Sequence, residues 1–133
     1  QRQMCIRDRN KLDIVTGVDG SGEVQVNTYL TPVFIPAEIW YEAIDVMEQL
    51  DDMERENDQL PEEEQRPMSE LMKEQIDLLI DMVVKIYGNA FSRESLKKGL
   101  HAPQMMETLI NQVQFIAQGQ QDEETKKYFE KKR

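Results

Sequence analysis

Residues 70–92 read Glu-Leu-Met-Lys-Glu-Gln-Ile-Asp-Leu-Leu-Ile-Asp-Met-Val-Val-Lys-Ile-Tyr-Gly-Asn-Ala-Phe-Ser, and this stretch decides the fold. Met72, Ile76, Leu79, Val83 and Ile86 recur at three- and four-residue spacing, with Leu71, Leu78 and Met82 beside them. That period belongs to a helix. Lys73, Asp77, Asp81 and Lys85 leave only a narrow polar stripe. A helix apolar around most of its circumference is contacted on several sides, so the spacing predicts a central helix from Glu70 to Tyr87, with Ser69 as its N-cap. Gly88-Asn89 is a C-cap pair, since both residue types tolerate the left-handed conformation that ends helices.

Working outward toward higher numbers, Ser92 caps a short helix with Leu96 inward, and Gly99 ends it. Pro103 then opens a last helix, as first-turn prolines do. Met105, Met106, Leu109, Ile110, Val113, Ile116 and Ala117 form its apolar face, and Gly119 closes it. Residues 119–133 are charged and poor in apolar side chains, so they read as a frayed tail.

On the other side, Ile39, Ala43, Val46, Met47, Leu50 and Met53 predict a first helix from Ala37 to about Asn57, opened by Pro36. Between the two long helices, Asp58 to Pro67 reads as a mobile, proline-punctuated loop. Residues 10–30 alternate with period two, as in Leu12, Ile14 and Thr16 against Lys11, Asp13 and Val15, or Val24 and Val26 against Gln25 and Asn27. The glycine-rich Gly17–Gly22 run lies between them, which is a β-hairpin signature. Val33, Phe34 and Ile35, held extended by Pro32 and Pro36, are expected to dock on the core. The fold class is thus α+β, mainly α: an N-terminal hairpin packed on three main helices and one short one.

The chain has 133 residues and a formal net charge of -10. The length fits one domain. The charge argues against nucleic acid, whose phosphates need clustered Lys and Arg, and against an anionic membrane surface. No apolar run approaches the roughly 20 residues of a membrane span, nothing reads as a signal peptide, and a lone Cys excludes a disulfide framework within the chain. A soluble protein of a reducing compartment is expected.

The first nine residues, QRQMCIRDR, resemble translated sequencing-adapter read-through and are set aside from the fold. Cys5 then carries no meaning. Without these three Arg and one Asp the net charge moves from -10 to -12. The domain organisation read here is a non-native segment at 1–9, a folded domain at 10–118 and a tail at 119–133.

Catalytic chemistry is absent from the pattern. The single His, His101, has no Cys or second His to partner it in a zinc site or a nucleophile–base pair. Asp19-Gly20-Ser21-Gly22-Glu23 hints at a calcium loop. Placing Gly22 at the loop's sixth position puts Gly17 and Thr28 where the first carboxylate and closing Glu belong. No catalytic residue, cofactor or metal is assigned.

What stands out instead is a surface. Residues 38–64 hold twelve carboxylates and one Arg. The plain reading is a solvated face; the sharper one is complementarity to a basic partner. Tyr41 falls among acids and Phe115 among polar residues, out of place for core aromatics. Met53, Met105 and Met106 lie at helix ends, where adaptable Met side chains serve binding surfaces. Tyr41, Met53, Met105, Met106 and Phe115 are therefore the candidate partner-binding residues, while Met47, Met72 and Met82 read as core.

The order of pieces resembles the tail assembly chaperones of long-tailed bacteriophages, especially those of Gram-positive hosts. An apolar helix ends in Tyr87-Gly88-Asn89-Ala90-Phe91, a short helix ends in Gly99-Leu100, and Ala102 precedes a final amphipathic helix. Tyr87, Gly88, Phe91, Leu96, Gly99, Leu100 and Ala102 match the family pattern. His101 and Lys97-Lys98 stand where that pattern often has acids. The likeness covers roughly residues 10–118, and its motifs are structural.

The resemblance implies a non-enzymatic protein of the host cytoplasm, absent from the mature virion. Such a protein coats the tape measure protein, keeps it soluble and helps recruit tail tube protein. It also implies a longer, frameshifted form in many members. The alternative is another phage or bacterial interaction module, such as a head–tail joining protein. Homo-oligomerisation is left open by the sequence.

Overall fold

The computed structural model describes residues 10–118. In order these form β1 (Lys11–Val18), β2 (Val24–Leu30), α1 (Ala37–Gln59), α2 (Met68–Ile86), α3 (Arg93–Gly99) and α4 (Met105–Ala117). Single 3-10 turns at Glu62–Glu64 and Ala102–Gln104 precede α2 and α4. This is the expected architecture: an antiparallel hairpin on three long helices and a short one. The segments at 1–9 and 119–133, with Cys5 and Gly119, lie outside the described residues.

α2 is the centre. It buries Leu71, Gln75, Leu79, Ile80, Met82, Val83 and Ile86, and it packs against α1, α3 and α4. Its polar stripe of Lys73, Asp77, Asp81 and Lys85 faces out. Two details differ from the expected seam. Met72 is 39% exposed, because the buried stripe runs through Leu71 and Gln75 and turns Met72 away. Ser69 is not the cap. The helix begins at Met68, and the Pro67 carbonyl accepts from the Glu70 and Leu71 N–H groups at 3.1 and 3.2 Å, which leaves Ser69 inside the first turn.

The helix stops as its sequence requires. Gly88 and Asn89 both have φ of 63°, and their N–H groups donate to Lys85 and Val84 carbonyls at 3.0 Å each. These bonds satisfy carbonyls that a helix end leaves without partners. The reversal brings Phe91 back onto the core, where its ring meets those of Tyr87 and Tyr29 at 5.3 and 4.9 Å. Ser92 caps α3 by accepting from the Ser95 N–H at 3.1 Å. α3 then lies across β1, with Gly99 at the closest approach.

The hairpin pairs Leu12 with Tyr29 and Ile14 with Asn27, and it buries Leu12 and Ile14 against the helices. Thr16 is the extra residue of a bulge between Val15 and Gly17. A bulge shifts the two-residue phase, so Val18, opposite Val24, joins Val15, opposite Val26, on the outward face. Val18, Val24 and Val26 are consequently exposed. Asp19 closes the turn. Its Oδ1 accepts from the Ser21 N–H, the Ser21 hydroxyl and the Glu23 N–H at 2.9, 2.7 and 3.0 Å. The Asp19–Glu23 string is thus a hairpin turn.

A buried polar cluster fastens the hairpin to the bundle. Gln112, inside the α4 apolar stripe, donates to the Lys11 carbonyl at 2.9 Å. Its Oε1 accepts from the Tyr87 hydroxyl at 2.5 Å and from Asn10 Nδ2 at 3.3 Å. Burial raises the Tyr87 phenol well above its usual range, which keeps that proton available to donate. The Asn10 N–H in turn reaches the Thr31 hydroxyl at 3.1 Å.

One of the two connecting segments corrects the sequence reading. Val33 and Phe34 are 60% and 78% exposed; only Ile35 packs against the core. The crossing strap is anchored near its two ends, at buried Thr31 and at Ile35, and bows outward between them. The loop at 58–67 carries hydrogen bonds of its own. The buried Asn57 side chain accepts from the Arg66 N–H at 2.9 Å and donates to the Arg66 carbonyl at 3.4 Å. Gln65 Nε2 donates to the Leu60 carbonyl at 3.1 Å.

Candidate functional site

α1 carries more apolar surface than its neighbours cover. Ala43, Leu50 and the Asn57 amide face inward. A second line runs beside them through Trp40, Ile44 and Met47 at helical spacing. α4 packs alongside, and between the two helices lies an open cleft of about 320 Å³. Ile44, Met47, Glu48 and Asp51 line it from α1, and Gln114, Ala117 and Gln118 from the end of α4. Its floor is apolar, from Ile44, Met47 and Ala117. Its rim is acidic, from Glu48 and Asp51.

Trp40 marks one end. Its indole N–H donates to the Ala117 carbonyl at 3.2 Å, satisfying a carbonyl of the last α4 turn. That bond fixes the start of α1 against the end of α4. The Tyr41 ring stands 5.3 Å from the Trp40 ring, and Tyr41 is 62% exposed. An exposed aromatic pair beside an apolar floor offers contact area at low conformational cost.

The electrostatics are one-sided. Among the described residues, ion pairs reach only two of the twelve carboxylates of residues 38–64: Glu42 through Lys85 at 2.7 Å, and Asp52 through Arg55. Of the bases outside α1, Arg66, Arg93 and Lys97 are engaged by acids of α2. Arg93 pairs with Asp81 and with Asp77 at 3.4 Å. Arg66 pairs with Glu74 and with Glu70 at 3.4 Å. The rim acids Glu48 and Asp51 thus face solvent uncompensated.

A second cleft, of about 400 Å³, lies between the end of α1 and the start of α2. Met53, Glu56, Asn57, Leu60, Arg66, Leu71 and Glu74 line it. Here the charges answer each other. The hydrogen bond from Arg66 holds the Glu74 carboxyl below its usual range and raises the guanidinium. The charges lining this cleft are paired with each other, whereas the α1/α4 rim offers unpaired carboxylates to a foreign group.

The five candidate residues do not gather on one surface. Tyr41 flanks the α1/α4 cleft and Met53 lines the second. Met105 and Met106 sit half-buried at the start of α4, and Phe115 half-buried near its end, all three packed against the core. Trp40, Ile44, Met47 and Ala117 were missed as a site. The signal was present: an apolar arc on α1 wider than one neighbouring helix covers. His101 is exposed, just before the 3-10 turn. Among the described residues no group of three or more His, Cys, Asp or Glu is placed to hold a metal ion, and no helix is long and apolar enough to cross a membrane.

Compared with known families, the chain matches a family model described as phage tail chaperone protein over residues 9–133. The match takes in residues 119–133 as well as the described domain. No significant match joins the chain to a curated protein or to a solved structure.

Proposed function

The chain belongs to the phage tail chaperone family, and from that premise we propose that the α1/α4 cleft is where it holds the tape measure protein during tail assembly. The observation that carries this reading is the cleft itself: an apolar floor under a carboxylate rim that has no ion-pair partner among the described residues. A client helix with an apolar stripe flanked by Lys or Arg fits both features. The floor supplies affinity through burial. The rim and the acidic α1 face steer the encounter and keep a client-loaded complex soluble.

The role is non-catalytic. It is carried out in the host cytoplasm, ends before the virion is complete, and includes recruitment of tail tube protein. Tyr41 is a contact residue in this reading, beside Trp40. Met53, Met105, Met106 and Phe115 are secondary contacts reached by a long client that wraps beyond the cleft. Family membership favours this role over a head–tail joining protein.

Co-expression with the tape measure protein of the same phage tests it. The expected result is a soluble, co-purifying complex, against an insoluble client when expressed alone. Tyr41→Ala and the pair Glu48→Lys with Asp51→Lys should each weaken capture while leaving the helical circular dichroism unchanged. A client that stays insoluble in the presence of the wild-type chain would sink the chaperone reading. Capture unaffected by all three substitutions would move the client to another surface.

A further inference from the structure

We propose that the outer edge of β2 pairs with the same edge of a second copy of this chain, antiparallel about a two-fold axis at Asn27, so that two hairpins join into one four-stranded sheet. The inference stands on the hairpin alone and is independent of what the α1/α4 cleft holds.

β1 and β2 form a two-stranded sheet, so each strand has an edge that the other does not pair. The β1 edge is defended. Lys11 and Asp13 lie on the strand, the bulge at Thr16 distorts it, and Gly99 of α3 sits against the Val15 backbone. The β2 edge has none of these defences. Residues 24–30, Val-Gln-Val-Asn-Thr-Tyr-Leu, contain no charged residue and no proline, the devices with which edge strands avoid pairing. Residues 24–28 are all exposed, and among the described residues β2 packs extensively only against β1.

The register fixes what this edge presents. The Thr31 N–H donates to the Asn10 carbonyl at 3.0 Å. Antiparallel pairs alternate between bonded and unbonded positions. With Leu12 opposite Tyr29 and Ile14 opposite Asn27, Tyr29 and Asn27 therefore turn their backbone groups toward β1. Val24, Val26, Thr28 and Leu30 turn theirs outward. Among the described residues no hydrogen bond reaches those outward backbone groups.

A second copy fits because the strand is complementary to itself. An axis at Asn27 sets Val24 opposite Leu30 and Val26 opposite Thr28, and the symmetry repeats each pair. Every outward N–H and carbonyl of one strand then meets its counterpart on the other. The same residues bring β-branched and aliphatic side chains into contact across the seam. Charge favours this edge over the rest of the surface. Two chains of net charge -10 repel, and the uncharged β2 strands let them meet without setting carboxylates opposite one another.

Sedimentation equilibrium and amide hydrogen exchange on the full chain provide the test. The expected result is a reversible dimer of twice 15.6 kDa, with the Val26 and Thr28 amides gaining protection as concentration rises. Asn27 is exposed and faces its own copy in the seam. Asn27→Lys and Asn27→Asp should each abolish the dimer with circular dichroism unaltered. An equimolar mixture of the two should restore it, since opposite charges then face each other. In a Cys5→Ser background, Asn27→Cys should cross-link on mild oxidation, because opposed unbonded residues lie about 4.5 Å apart between Cα atoms. Gln25→Cys should not. Gln25 faces Tyr29, which leaves the two Gln25 positions roughly 13 Å apart at about 3.3 Å per residue.

A chain that stays monomeric at every concentration would overturn the proposal, as would a dimer whose Val26 and Thr28 amides remain unprotected. Protection that persists unchanged on dilution would assign the edge to the chain itself and equally overturn it. Protection that appears only with client bound to a monomer would give the edge to an extended client segment instead.

Discussion

A methyl group at Gly99 would lie 2.3 Å from Ile14 Cγ2 and 2.7 Å from the Val15 carbonyl oxygen. A side-chain carbon can shift, but the strand carbonyl is held by its pairing. In an ordinary helix position Gly→Ala stabilises by roughly 0.5–1 kcal/mol. At Gly99 the sign reverses, and overpacking should cost about 1–3 kcal/mol. Urea unfolding of Gly99→Ala checks this; a raised midpoint would mean that the hairpin does not sit this close. Gln112 gives a second prediction. Gln112→Ala strands the Tyr87 hydroxyl and the Lys11 carbonyl, at about 1–3 kcal/mol for each buried group left unpaired. Tyr87→Phe removes one bond and leaves the Gln112 amide its Asn10 partner, so it should cost only about 0.5–1.5 kcal/mol. Equal costs for the two variants would show that the hydroxyl bond carries the whole cluster.

At the scale of elements, the helices were legible because each is long enough for a 3.6-residue stripe to repeat. What escaped notice were the polar residues inside those stripes. Asn57, Gln75 and Gln112 each stand where an apolar residue would continue the pattern, and each is buried. Their partners are the Arg66 backbone, Glu54 and the Lys11 carbonyl. Those partners lie 9, 21 and 101 residues away in sequence, and no local spacing encodes such distances. The hairpin was legible from alternation, yet the Thr16 bulge was not, since a one-residue phase shift leaves composition unchanged. The candidate contacts suffered similarly. Helix periodicity says which residues share a face, but not which of two faces finds a neighbour, and so Phe115, which read as outward, is half-buried against the core.

The hairpin turn yields a pH prediction at this same scale. Hydrogen bonds from Ser21 and from the Glu23 backbone hold Asp19 below its ordinary 3.8. A depressed folded value means that the turn's stabilisation is complete well above 3.8 and is lost as pH falls through the lower, folded value. The Ser21 and Glu23 amide resonances should therefore titrate together, with a midpoint beneath 3.8. In Asp19→Ala that transition should vanish. A midpoint above 3.8 would show that the carboxylate is not held by the turn.

For the whole molecule, salt should act in opposite directions on stability and on association. The net charge is -10, and among the described residues the acidic α1 face is largely without ion-pair partners, so like charges repel within the folded domain. The pairs that do form are exposed, and such pairs contribute only about 0–1 kcal/mol. Screening therefore removes more repulsion than attraction, and the thermal midpoint should rise as sodium chloride is added. In the proposed function, encounter with a basic client depends on the same field over distances that salt shortens, from roughly 30 Å at 0.01 M to about 10 Å at 0.1 M. The on-rate should fall about tenfold or more over that range, the scale at which steering operates. The off-rate, if set by the proposed apolar contact with Ile44 and Met47, should change little. Stopped-flow fluorescence from Trp40 can follow both rates. Glu48→Lys with Asp51→Lys should blunt the salt dependence of the on-rate while leaving the rise in thermal midpoint largely in place, because most of the acidic face remains. A salt effect confined to the off-rate would instead make the rim a set of direct ion-pair contacts, closed only after the client has arrived.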